Sequence, residues 1–191
     1  MKPLPWIPCL TLLIWICHTP QLVAGKVKAY PAPNADFAHY KTFQWLPPKV
    51  LTSRGVKEDH PANPIVKEVL VPQLSQKGLQ EVSTGADLEV QVFVLTESVP
   101  QLEAIIFTSY TGVVNQGGDV WSTGGPIATM GRYNKEGALY INLIDTKTKK
   151  SAWLAMGSDS LPNGAMSDDE IRSKLEKVSS KIFKKYPAKK K

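Results

Sequence analysis

The chain has 191 residues and a formal net charge of +6, which fits one domain. The excess charge is local: Lys181–Lys191 holds six lysines and no acid, while Lys26–Ser180 sums to −1, so the body of the domain is nearly neutral. The two cysteines, Cys9 and Cys17, both lie in the first 25 residues. A chain that loses that segment forms no disulfide, no Cys-ligated metal site and no thiolate nucleophile.

Residues 1–25 read as an export signal. Lys2 supplies the positive start, the 9-residue run Cys9–Cys17 the apolar region, and "QLVAG" the small residues of a cleavage site at Ala24 or Gly25. The apolar run is too short to span a bilayer unaided, which disfavours an uncleaved anchor. Lipidation at Cys17 is the other alternative, but Ile16 stands where a lipidated cysteine takes a small residue. An exported protein without disulfides fits a bacterial periplasm better than a small secreted eukaryotic domain.

In chain order, "KVKAYPAP" (Lys26–Pro33) is an extended entry or a first short strand. Asp36 suits a turn, with Phe37 to Tyr40 forming it, and Lys41 to Leu46 reads as a strand with Phe43 and Trp45 on one face. Pro47 and Pro48 stop it, and the polar run Lys49 to Ala62 reads as loop. The next segment predicts a helix, with Asn63 as N-cap, Pro64 in the first turn and Gly78 at the stop. Pro72 falls inside it and predicts a kink between Glu68 and Pro72. "ADLEVQVFVLTE" is the clearest strand, with Leu88, Val90, Val92 and Val94 on one face and Glu89, Gln91, Phe93 and Leu95 on the other.

From Ser98 to Glu136 the periodicity fails. Ala104 to Tyr110 is a candidate strand, and the Gly-rich "NQGGDVWSTGGP" reads as an irregular loop of the length that usually carries function. A hairpin follows: Leu139, Ile141 and Leu143 alternate on one strand, Ala152, Leu154 and Met156 on the other, with "DTKTKK" as the turn. The last helix opens on a capping box, Ser167 with Glu170, and carries the stripe Ile171, Leu175, Val178, Ile182 and Tyr186. The expected fold is α+β: a small antiparallel or mixed sheet of about four to five strands with two helices packed on one face.

The chemistry available is narrow. His39 and His60 are the histidines left after the leader, and neither sits in a metal-ligand spacing. The sequence has no nucleophile elbow, P-loop or dinucleotide fingerprint, so no catalytic residue, cofactor or metal site is assigned. Asp168 and Asp169 are accounted for by the helix start. The candidate contacts with a ligand or partner are Trp121, Tyr110 and Tyr133; a competing reading has one such ring pinning the loop to the sheet. Lys184, Lys185, Lys189, Lys190 and Lys191 are candidate contacts with an anionic membrane, against the plainer reading of a solvated end; no nucleic acid is expected.

Taken together, "ADFAHYKTFQWLPP", "ADLEVQVFV", "GALYINLIDTKTKKSAWLAMGSDSL" and "KLEKVSSKIFKKYPAKK" resemble the bacterial domain of unknown function 4136 family over about Val27 to Pro187. The resemblance implies an exported, often lipid-anchored protein with no assigned activity, and so carries over no catalytic residue. The chain departs from the family pattern at Ile16 before Cys17 and in a central loop less rich in glycine and aromatics. The implied organisation is a signal peptide at 1–25, one domain at 26–188 and a basic tail at 189–191. The expected role is a non-enzymatic binding or accessory module of the periplasm or outer membrane, acting on an envelope protein or ligand. The alternatives are an envelope hydrolase using the 98–136 region and a peripheral membrane protein held by the Lys-rich C-terminus.

Overall fold

The computed structural model describes residues 27–52, 55–96, 136–162 and 164–187. The leader, the 97–135 segment with Tyr110, Trp121 and Tyr133, and the tail lysines 189–191 lie outside the described residues, as does Cys17.

Ten elements run in the order β1 (Val27–Pro31), β2 (Thr42–Trp45), β3 (Lys49–Thr52), β4 (Gly55–Lys57), α1 (Asn63–Gln76), β5 (Gln80–Glu81), β6 (Leu88–Leu95), β7 (Glu136–Asp145), β8 (Ser151–Ser160) and α2 (Asp168–Phe183). They form one mixed sheet of eight strands, with the main path β1-β8-β7-β6-β2-β5. The expected four to five strands undercount it. β2 and β3 lie end to end along the same edge of β6, both parallel to it, and β4 and β5 are short outer pieces paired to them. Pro47 and Pro48 do interrupt the edge, but the chain resumes pairing at Lys49, so the stretch read as loop is a β3–β4 hairpin. Its alternation is too short to stand out from a polar background.

The long antiparallel core is β6–β7–β8, where Leu88 to Leu95 pairs with Asp145 to Ala138. Leu88, Val90 and Val92 point to the helices with Leu139, Ile141 and Leu143, while Phe93 and Leu95 join Leu51, Ala138, Tyr140 and Met156 in a second buried cluster. The face division expected for β6 therefore holds. On β8 a register shift falls between Leu143 and Ile144, where Ile144 faces Ser151 and Leu143 faces Trp153. The extra residue, Ala152, breaks the expected alternation: it packs in the helix-side cluster with Trp153 and Ala155, while Met156 belongs to the other.

Both helices pack in the cluster on the helix side of the sheet. Helix α1 contributes Ile65, Val66, Val69, Leu70 and Leu74, and α2 contributes Leu175, Val178, Ile182 and Phe183. The helix between β2 and the parallel β6 is the crossover that a parallel pairing demands. Asn63 is not the N-cap: Ala62 holds that position and makes no side-chain cap. The Asn63 amide instead donates to the carbonyls of Pro48 and Glu58, tying the β3–β4 hairpin to the helix start. Helix α1 continues through Pro72 to Gln76, and Gly78 just beyond it, with a φ of 79°, is the left-handed stop. At α2 the capping box is present in full, with Ser167 Oγ accepting from Glu170 N and Glu170 Oε2 accepting from Ser167 N.

Candidate functional site

The stretch from Asp36 to Trp45 builds one corner of the domain. Asp36 Oδ1 accepts from Ala38 N at 3.1 Å, closing the expected turn. That turn sets Phe37 edge-on to Tyr40 and to Tyr186, with ring centroids 5.9 and 5.5 Å apart. Tyr40 is buried, and its hydroxyl donates to Asp145 Oδ2 at 2.8 Å. The other Asp145 oxygen accepts from Lys147 N and Thr148 N, which shapes the β7–β8 turn. One carboxylate thus fixes the hairpin tip and holds it to the β2 entry.

A second aspartate makes the neighbouring joint. Asp87 Oδ2 accepts from Lys41 N, Thr42 N and Thr42 Oγ1 at 2.9, 3.0 and 3.0 Å, and Asp87 N returns a bond to Thr42 Oγ1. Thr146 N donates to the Asp87 carbonyl, joining the turn to the same point. Behind these groups Trp153 is fully buried, stacked on Phe183 at 5.9 Å and edge-on to Tyr186 at 5.3 Å. Its indole N–H has no hydrogen-bond partner among the described residues. Trp45, half-buried, packs against the same core.

The electrostatics of the corner follow from these bonds. Backbone donation from Lys41, helped by Thr42, holds the Asp87 carboxyl below its usual range. At Asp145 burial pushes the carboxyl up, but the bonds from Thr148, Tyr40 and Lys147 outweigh it and the net direction is down. Burial first, then the bond to Asp145, raises the Tyr40 phenol; burial alone pushes Tyr186 up to about 12. The directions agree with the bonding: both carboxyls favour the charged form that accepts, and Tyr40 favours the neutral form that donates.

Asp87 gives a pH test. Its folded value lies below the unfolded 3.8, so its stabilisation is complete well above that value and is lost as pH falls through the folded one. Asp87→Asn is expected to cost about 1–2 kcal/mol at pH 7, the loss being moderated by partial exposure. In urea titrations the gap between wild type and variant should narrow as the pH falls below 3.8 and close once Asp87 is protonated in the folded state as well. A gap that persisted there would assign the loss to something other than the charge.

A shallow apolar groove lies at the other end, between the start of α1, α2 and the ends of β6–β8. Val66, Leu139, Met166, Ile171, Leu175 and Val178 are among its walls, and its cavity is about 70 Å³. Ligand pockets run to about 300–1,000 Å³, so this groove is too small to enclose one. At its rim Asp159, 8% exposed, accepts from Lys177 at 3.1 and 3.3 Å, with Lys174 3.8 Å away. Among the described residues no serine or histidine lines it. His60 Nδ1 accepts from Ala62 N, which occupies the lone pair a base needs, and the Ser167–Glu170 contact is the helix cap. Among the described residues no group of His, Cys, Asp and Glu is placed to hold a metal ion, and no helix is long and apolar enough to cross a membrane.

Of the candidate contacts named from sequence, Lys184 and Lys185 are described: both are exposed, just past α2. Missed from sequence was the role of Thr42, Asp87 and Asp145 as a joint between distant segments. The Ala-Asp-Leu and Ile-Asp pieces of the family pattern hold the two aspartates, but nothing local says that they meet the Tyr-Lys-Thr run.

A mixed sheet backed by two helices defines a two-layer α+β domain. The chain belongs to the domain of unknown function DUF4136 family, whose model matches residues 27–188. A DUF4136 family protein from Bacteroides thetaiotaomicron has a similar structure, with a TM-score of 0.55 at 15% identity, covering 87% of this chain and 99% of that one. A PDZ domain protein from Parabacteroides distasonis has a TM-score of 0.50 at 17% identity, covering 84% of this chain and 35% of that one. A PelC dodecamer from Paraburkholderia phytofirmans reaches a TM-score of 0.49 at 12% identity, covering 87% of this chain and 99% of that one. At these identities the likeness speaks to fold alone. No curated protein matches the chain.

Proposed function

We propose that the chain is an exported protein of the bacterial periplasm or outer membrane that serves as a non-enzymatic binding or accessory module. The observation that carries this reading is the fate of the family motif. Asp36, Tyr40, Thr42, Asp87 and Asp145 turn their polar atoms to one another or to the backbone, and Trp153 packs its ring into the core beside them. The export leader read at 1–25 and the absence of a nucleophile–base pair among the described residues support it further. The hydrolase reading rests on the 98–136 region, nearly all of it outside the described residues, and no observation favours it.

Cross-linking in living cells followed by purification from envelope fractions tests the proposal. A reproducible envelope partner, ligand or membrane fraction is expected. Recovery of the protein alone from the soluble cytoplasm would contradict it.

A second reading, peripheral attachment to a membrane through the Lys-rich C-terminus, has a specific observation behind it. Lys184 and Lys185 are exposed, and no carboxylate of the described residues lies within ion-pair distance of either.

A further inference from the structure

The fold assembles a basic end that the sequence scatters over more than a hundred residues. The Tyr40–Asp145 bond brings the β2 entry to the β7–β8 turn, and the Phe37–Tyr186 contact brings the end of α2 to the same corner. Five exposed lysines therefore share one end of the domain: Lys41, Lys147, Lys150, Lys184 and Lys185. Lys41 donates to the Ala38 carbonyl, and none of the five is in ion-pair contact with a carboxylate of the described residues. The carboxylates named at this end are four and each is engaged: Asp87 and Asp145 accept from backbone donors, Glu89 pairs with Lys149, and Asp36 caps its turn.

Complementing the helix dipole accounts for Lys184 and Lys185, at the negative end of α2. It does not account for Lys41, Lys147 and Lys150, which belong to no helix. In sequence, Lys189–Lys191 come two residues after Pro187.

We propose that this end of the domain, hairpin tip included, is a docking surface for a bilayer rich in anionic lipid. The proposal rests on the membrane-attachment reading and extends it from the tail to the folded body. Charge complementarity names the occupant. The cations are all lysines, compact point charges suited to a diffuse layer of headgroups, with none of the bidentate arginine forks of base readout. The rings at this corner, Phe37, Tyr40, Tyr186 and Trp153, are at least partly buried in core contacts and offer no exposed stacking platform for single-stranded nucleic acid.

The test is partition of the full-length chain onto vesicles, read as the ratio between phosphatidylcholine vesicles containing 30% phosphatidylglycerol and pure phosphatidylcholine vesicles. That ratio cancels any apolar contribution common to both. Lys147→Gln with Lys150→Gln should lower the ratio about 30-fold, and truncation after Pro187 on the order of 100-fold. High salt should abolish the preference. A hairpin variant that leaves the ratio unchanged while truncation abolishes it overturns the docking surface and keeps the tail reading. A wild-type ratio near one overturns both. Binding to duplex DNA that falls in the hairpin variant, with no vesicle preference, makes the partner a nucleic acid and overturns the proposal. Unchanged urea midpoints in the variants separate lost binding from lost folding.

Discussion

Trp153→Ala is expected to remove about 4 kcal/mol of stability, a large share of the 5–15 kcal/mol typical of a domain. The side chain is fully buried, stacked on Phe183 and edge-on to Tyr186, so its loss opens a cavity where β8 meets the end of α2. The surrounding rings cannot close that gap without giving up their own contacts. The indole N–H without a partner sharpens the expectation. Trp153→Phe keeps a ring in the stack and deletes the unsatisfied donor, so it should cost less than about 2 kcal/mol. Urea midpoints of the two variants decide it. Equal losses would mean that the N–H, not the ring, is what Trp153 supplies.

Gly157→Val should cost about 3 kcal/mol, at the upper end of overpacking effects. A Cβ at Gly157 would sit 2.8 Å from Val178 Cγ1 and 3.1 Å from two atoms of Ile182, so even the first added carbon requires those side chains, or α2 with them, to move. The strand itself favours valine, and any loss is therefore one of packing. Ser160→Val, at an exposed position on the same strand, is the control and should stay within about 0.5 kcal/mol of wild type. A tolerated Gly157→Val would show that the helix rides higher on the sheet than this packing requires.

The elements that could be read from sequence are those whose periodicity is long or whose end signals are local. Helix α2 has both, in its capping box and its Leu175–Val178–Ile182 stripe. Strand β6 has eight residues of alternation, and the β7–β8 hairpin brackets a polar turn built on Asp145. The eight-strand count was not legible, because β3, β4 and β5 are four, three and two residues long and owe their pairing to β6 and β2. Asn63 looked like a cap because the residue type and the following proline fit. Its amide was instead recruited by carbonyls of the β3–β4 hairpin, a tertiary demand that no local pattern encodes. The Ala152 bulge is invisible for the same reason: only the partner strand defines the slip.

The candidate sites divide in the same way. Asp36 as a turn residue and Phe43 as a core residue follow from local rules, and the structure has both. The bonds from Tyr40 to Asp145 and from Thr42 to Asp87 span 105 and 45 residues, and their meaning depends on which strands become neighbours. Trp121, Tyr110 and Tyr133 fall outside the described residues, so the competing readings of that loop stand as they were.

The family motif is a structural joint between the β2 entry and the β7–β8 turn. A double-mutant cycle between Tyr40→Phe and Asp145→Ala, measured by urea unfolding at neutral pH, tests it most directly. The joint predicts a coupling of about 1–2 kcal/mol between the two positions. Losses that add to within about 0.3 kcal/mol would contradict it.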